Sequence, residues 1–332
     1  MFVWIIAVIW ASQFKFTDDF SPVLFSKEGK VLSVKVAKDG QWRFKKNVEL
    51  PENYVKCLLQ FEDKNFYLHL GVDPIGLIRA AYLNFKKGRV VSGGSTITMQ
   101  VARLILNSPN RNVIRKFSEI VLAIGIEFRY SKKQILQLYS ELAPYGSNVI
   151  GVEAAMIRYY NKSLKDLSWS EAAMLAVLPN QPSLIHIGKN RVKLIEKRNQ
   201  LLKNLFEKHL ISKESFELSL LEPIPQKPEK LNRLAPHALD YLQARYPGQF
   251  IFKSNIDSKL QSVVQEICGR HHNVLAQNEI RNLAVLVVSN SDQKVLSYIG
   301  NMVNDTQAVA QAEVNMIHAP RSSGSILKPL LV

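Results

Sequence analysis

The spacing of apolar residues changes character several times along the chain. Residues 2–11, FVWIIAVIWA, are apolar without a break. Between 20 and 44 short alternating stretches take over, with Val31, Leu32, Val34 and Val36 flanked by the turn signals Lys27-Glu28-Gly29 and Lys38-Asp39-Gly40. From Pro51 to about Leu210 apolar residues recur at three- and four-residue intervals. That spacing predicts helices over 54–68, 75–85, 96–106, 113–128, 132–142, 151–160, 169–178 and 191–208. The proline-rich LEPIPQKPEK (221–230) reads as a linker, a further helix fits 257–268, and LAVLVVSN, SDQK and VLSYIGN (283–301) predict an antiparallel hairpin.

At 332 residues the chain has room for about two domains. With 47% hydrophobic residues it can build a core, which excludes wholesale disorder. The two cysteines, Cys57 and Cys268, stand in no metal-ligand spacing, which argues against a zinc site or a disulfide framework. The net charge of +15 suits an anionic partner. A nucleic-acid partner is not expected, because the basic residues are not interleaved with base-stacking aromatics. The apolar start is shorter than the roughly 20 residues that span a bilayer and lacks a preceding Lys or Arg. It reads as part of a membrane anchor ahead of an interfacial segment or a buried strand, since Trp4, Trp10 and Phe2 suit a membrane interface.

Candidate chemistry begins in the helix over 54–68. Val55, Leu58, Leu59, Glu62 and Phe66 share one face, so Glu62 lies in the apolar stripe, whereas Asp63 falls on the side of Lys56 and Gln60. A carboxylate among apolar neighbours has its pKa raised, which suits an acid or base working near neutral pH. The same spacing also fits a glutamate salt-bridged at the edge of a core. GGSTITMQVAR (93–103) joins a Gly-Gly turn to a helix with Ser95 as N-cap, leaving N–H groups and the Thr96 and Thr98 hydroxyls near an anion- or sugar-binding helix end. In NRNVIRKFSEIVLAIGIEF (110–128), Arg111, Arg115 and Lys116 cluster beside Glu119. They form either a surface salt bridge or a cationic pocket for a diphosphate.

Taken in order, EDKNFYLHLG, GGSTITMQ, RKFSE and KKQILQLYSELAPYG resemble the signature of the family 51 peptidoglycan glycosyltransferases, the polymerising domains of class A penicillin-binding proteins. Met99, Ala-Pro-Tyr-Gly at 143–146 and GVEAA at 151–155 resemble the 1C type. The resemblance implies a mainly α fold. A lysozyme-like helical glycosyltransferase domain would be followed by an incomplete α+β penicillin-binding transpeptidase domain. The expected boundaries are a partial membrane anchor at 1–15, a strand-rich collar at 16–50, the glycosyltransferase domain at 51–210, a linker at 211–250 and the opening of the transpeptidase domain at 251–332.

It further implies polymerisation of lipid II into glycan strands with release of the lipid diphosphate, on the outer face of the bacterial cytoplasmic membrane and alongside other cell-wall synthesis proteins. By the same resemblance Glu62 is the general base and Glu119 the second essential carboxylate. Arg103, Arg111, Arg115 and Lys116 hold the diphosphate, with a divalent metal, Mg or Mn, as the implied cofactor. Asp63, Ser95, Thr98 and Gln100 bind substrate, and His69 is a structural member of the site. The segment 74–85 is expected to touch lipid through Ile75, Leu77, Ile78, Tyr82 and Phe85, with Asp73 as cap.

Two departures from the family pattern stand out: Arg103 replaces a common Lys, and Ser140-Glu141 follows Tyr139 where Leu-Asn is usual. Ser325-Ile326-Leu327-Lys328 matches the Ser-x-x-Lys acylation motif. Without the later transpeptidase motifs, no transpeptidation is expected of this chain alone. A lysozyme-like hydrolase and an inactive scaffold are the competing readings. The cationic RKFSE helix favours a diphosphate leaving group over hydrolysis.

Overall fold

A computed structural model describes residues 19–44, 49–89, 93–106, 113–146, 148–180, 190–228, 233–302, 312–320 and 322. The apolar run at 2–11, Arg111, Ser325 and Lys328 lie outside these. The chain divides into two compact units, the first holding residues 36–230 and the second joining residues 21–35 to residues 231–332.

The first unit is helical. Its elements are α1 (Glu52–Glu62), α2 (Pro74–Lys87), α3 (Ile97–Leu106), α4 (Val113–Arg129), α5 (Lys132–Leu142), α6 (Val152–Tyr160), α7 (Trp169–Val177), α8 (Arg191–Glu207) and α9 (Lys213–Leu221). Local chemistry starts several of them. Asp73 accepts from the Gly76 N–H with Pro74 in the first turn of α2, and Ser131 and Ser168 close capping boxes with Gln134 and Glu171. Every residue from Ser170 to Val177 is buried, so α7 is a central helix rather than an amphipathic one. α1 packs on α7 and α8, and α3 packs on α4 and α5.

The expected helix over 54–68 is shorter than its apolar pattern. α1 stops at Glu62, and Phe66–Leu68 form a separate 3₁₀ turn. Ser95 does not cap α3; the Thr96 hydroxyl does, accepting from the Met99 N–H at 3.1 Å. On α2, Ile75, Ile78, Tyr82 and Phe85 are exposed, while Leu77 is half-buried with its backbone close to Gly94.

The second unit explains the strand-rich start. β1 (Val23–Phe25) pairs antiparallel with β2 (Val31–Val34) and parallel with β3 (Ile251–Lys253), in the order β2-β1-β3. The hairpin therefore does not form a separate collar. It is part of a unit in which α10 (Pro236–Arg245) packs with it around Leu24, Leu32, Leu239 and Phe252, and α11 (Ser258–Ala276) packs through Val264 and Cys268 on Ile299 and Met302. β4 (Val285–Val288) and β5 (Val295–Ile299) form the expected antiparallel hairpin. The segment 211–250, expected as a linker, contains α9 and α10.

Candidate active site

Glu62 ends α1, and its partly buried side chain accepts from Gln100 Nε2 at 2.6 Å. Burial pushes its carboxyl above the ordinary carboxylate range. Hydrogen bonds from Gln100 and Asn180 and the charge of Lys197 pull the other way, and Asp63 adds to the rise. Behind Glu62 lies a buried tyrosine cluster. Tyr54 and Tyr145 share a hydroxyl–hydroxyl bond of 2.6 Å, and the Tyr139 hydroxyl, also buried, has no partner among the described residues.

Asp63 is not on the Lys56 side. It is buried, accepts from the Ile97 N–H at 2.9 Å, and has His69 Nε2 at 3.1 Å from both carboxylate oxygens. This inward turn ends α1 at Glu62 and fixes the N-terminus of α3 to the first motif. His69 is held here by Asp63.

Gln100 and Arg103 stand one turn apart on α3, so they project from the same face. Arg103 Nε donates to Glu119 Oε1 at 2.9 Å and its Nη2 to Oε2 at 3.3 Å. Lys116 Nζ donates to Glu119 Oε2 at 3.2 Å, and Arg115 Nε lies 3.9 Å from Oε1. Ser95 Oγ accepts from Lys116 Nζ at 2.6 Å and from Arg103 Nη2 at 3.3 Å. Glu119 is 4% exposed. Burial alone would raise its carboxyl, but the Arg103 hydrogen bond and charge, with Lys116, hold it below the ordinary range. Burial depresses the Lys116 ammonium, and Glu119 offsets part of that. The result is a basic cluster arranged around one ionised carboxylate, next to Gln100 and Glu62.

Thr98 is fully buried and cannot touch a ligand; its hydroxyl donates to Glu127 Oε1 at 2.6 Å. That carboxylate also receives Lys132 Nζ at 2.8 Å, and the same ammonium donates to the His69 carbonyl at 2.7 Å and lies 4.4 Å from the centre of the Phe66 ring. Gly71 closes the loop against α4. At φ +85°, an added Cβ would sit 2.8 Å from the Ala123 carbonyl oxygen.

Thr98 is thus a support rather than a binding residue. Ser95, Gln100, Arg103, Arg115 and Lys116 do gather around the two glutamates. The sequence reading missed Glu127, Lys132, Asn180 and Lys197. For Lys197 a signal existed: Leu194, Lys197 and Leu201 share one face of α8, the same pattern of a charge in an apolar stripe that marked Glu62.

A family model described as Transglycosylase matches residues 28–206. Penicillin-binding protein 1C of Escherichia coli (strain K12) is 35% identical over 295 residues, which is 88% of this chain and 38% of that protein. Penicillin-binding protein 1A of Aquifex aeolicus (strain VF5) is 34% identical over 68% of this chain and 32% of its own length. A solved structure of penicillin-binding protein 1A from Haemophilus influenzae aligns with 75% of this chain and 28% of that chain at 19% identity and a TM-score of 0.35. The chain belongs to the transglycosylase family, as the glycosyltransferase domain of class A penicillin-binding proteins. It spans well under half the length of the relatives named above.

Proposed function

We propose that this chain extends peptidoglycan glycan strands from lipid II, with Glu62 as the general base. The observation that carries the reading is the joining of two unlike carboxylates through one face of α3. Glu62, raised by burial, is held by Gln100, and Glu119, kept ionised, is ringed by Arg103 and Lys116. In the reaction the acceptor sugar hydroxyl attacks the anomeric carbon of the lipid-linked donor, and Glu62 takes the hydroxyl proton. A new carbon–oxygen bond forms, the anomeric carbon–phosphate oxygen bond breaks, and the lipid diphosphate leaves with the electron pair. Arg103, Arg115 and Lys116 supply positive charge where that negative charge grows, and Glu119 orients them. Arg111, just ahead of α4, is proposed to join them. The basic cluster favours a diphosphate leaving group over hydrolysis of a finished strand.

Among the described residues no three His, Cys, Asp or Glu side chains converge as a metal site, and both Glu119 oxygens are already hydrogen-bonded. The described residues do not fit a dedicated protein cage for a divalent metal, and no step is assigned to one. Among the described residues no helix is long and apolar enough to cross a membrane. The exposed Ile75, Ile78, Tyr82 and Phe85, followed by Lys86 and Lys87, support contact of α2 with an anionic bilayer. Attachment to the cytoplasmic membrane is proposed on that basis, and the outer face on the family resemblance.

The test is polymerisation of lipid II by the purified chain in detergent, with and without divalent metal, read as glycan polymer on a gel. Glu62→Gln should lower the rate by about 10²–10⁴-fold, the usual contribution of a general base. A wild-type chain that forms no polymer but releases soluble fragments from sacculi would replace this reading with the hydrolytic one.

A further inference from the structure

Gln100 is joined by other groups that bear on Glu62, and these belong to no motif discussed so far. Lys197, on α8, donates from Nζ to Asn180 Oδ1 at 3.1 Å. α1, which ends at Glu62, packs on both α7 and α8, and Asn180, just beyond α7, bears with Lys197 on the Glu62 carboxyl in the direction that favours its ionised form. An amide has one acceptor oxygen and one donor NH₂ group. Because the oxygen accepts from the Lys197 ammonium, the NH₂ is the part of the side chain left free to donate. The pair therefore offers a carboxylate only donors, an ammonium and an amide NH₂ whose orientation the ammonium sets. Lys197 shares an apolar face with Leu194 and Leu201, both buried, which keeps the ammonium from turning away into water.

We propose that Asn180 and Lys197 are positioning residues that brace the general base where α1 packs on α7 and α8, with Lys197 fixing the orientation of the Asn180 amide. The proposal rests on Glu62 being the base. Without Lys197 the amide can rotate and present its oxygen to the carboxylate, converting a support into a repulsion. The brace also answers a problem set by burial. A base this sheltered is protonated too readily, and a nearby cation restores the fraction able to accept a proton. The other groups bearing on Glu62 are Gln100 from α3, Asp63 next to it, and the buried Tyr54 of α1 and Tyr139 of α5. The charge of Asp63 raises the Glu62 carboxyl, whereas the Gln100 hydrogen bond lowers it. Lys193 is the charged neighbour of Lys197 on α8.

The experiment is the pH dependence of kcat/KM for lipid II polymerisation by the full chain in detergent. Lys197→Met should move the acid limb to higher pH, with about a tenfold loss near pH 6 and a much smaller loss near pH 9. Lys197→Arg should restore the limb. Asn180→Ala should move it in the same direction by less. Unfolding midpoints identify any variant that has lost its fold, and Asn180→Ala then carries the test if Lys197→Met has. A folded variant whose activity falls equally at all pH values, with the limb in place, overturns the brace. Glu62→Gln is run alongside. If it keeps wild-type activity, the assignment of the base fails. If it is inactive and the limb of the other variants does not move, the brace alone fails.

Discussion

Gln100 Nε2 lies 2.6 Å from Glu62 Oε2. The bond joins the first motif to the second and favours the ionised carboxylate, opposing the effect of burial. Gln100→Ala removes that opposition, so Glu62 should be protonated at a higher pH. Rate should fall on the acid side of the profile first, because only the ionised base accepts a proton. A pH–rate series on the variant checks this, and a limb that stays at the wild-type position would show that the bond orients without tuning.

The same burial has a stability consequence. The folded-state pKa of Glu62 lies above its unfolded value, so its protonated form suits the fold and its ionised form strains it. The strain is absent below the unfolded carboxylate pKa and grows as pH rises through the folded one. Glu62→Gln should therefore raise the thermal unfolding midpoint at neutral pH while removing activity, and the gain should shrink as pH falls towards the unfolded value of about 4.3 and vanish below it. Thermal melts across pH decide it.

Glu119 has the opposite sign. Its folded pKa is depressed, so its contribution is present above the unfolded pKa and is lost as pH falls through the folded one. Glu119→Gln leaves Arg103 and Lys116 without their carboxylate. Their side chains are 38% and 36% exposed, so the expected cost at neutral pH is about 1–3 kcal/mol, below that of a fully buried pair. Denaturant titrations at neutral and acidic pH should show this difference between the variants closing in acid.

Thr98→Val keeps the side-chain shape and deletes the donor to a sheltered carboxylate. It should destabilise by about 1.5–3 kcal/mol, whereas Thr98→Ser, which keeps the hydroxyl, should cost less. A loss in urea unfolding confined to Thr98→Ser would show that the methyl group, not the hydroxyl, matters at this position.

Exchange of exposed apolar groups for charge on α2 should leave the fold intact, since Ile78 and Phe85 are 71% and 90% exposed. Ile78→Asp with Phe85→Asp should weaken co-sedimentation with anionic vesicles. Undiminished binding would move membrane contact elsewhere.

Much of the helical unit could be read from periodicity, and Glu62 from its place in an apolar stripe. The end of α1 could not. Phe66 continues the pattern and is buried, yet the backbone breaks because Asp63 turns to the Ile97 N–H and His69, a long-range interaction that overrides local spacing. Ser95 and Thr96 both carry cap-forming hydroxyls, and only the basic cluster that claims Ser95 decides between them. The 23–34 hairpin was legible from its turns, but its partner strand 251–253 lies too far along the chain for any local signal. Glu127 and Lys132 looked like ordinary helix-end charges; their use depends on Thr98 and the His69 carbonyl meeting them in space.

That last meeting has a consequence for how the helical unit breathes. Lys132 and Glu127 knot together the turn after α1, the start of α3, the end of α4 and the beginning of α5 with a single ammonium and a single carboxylate. Amide protons across these segments should therefore exchange with deuterium together rather than segment by segment. The catalytic cradle would open as one hinged assembly, and whatever loosens one corner would loosen them all.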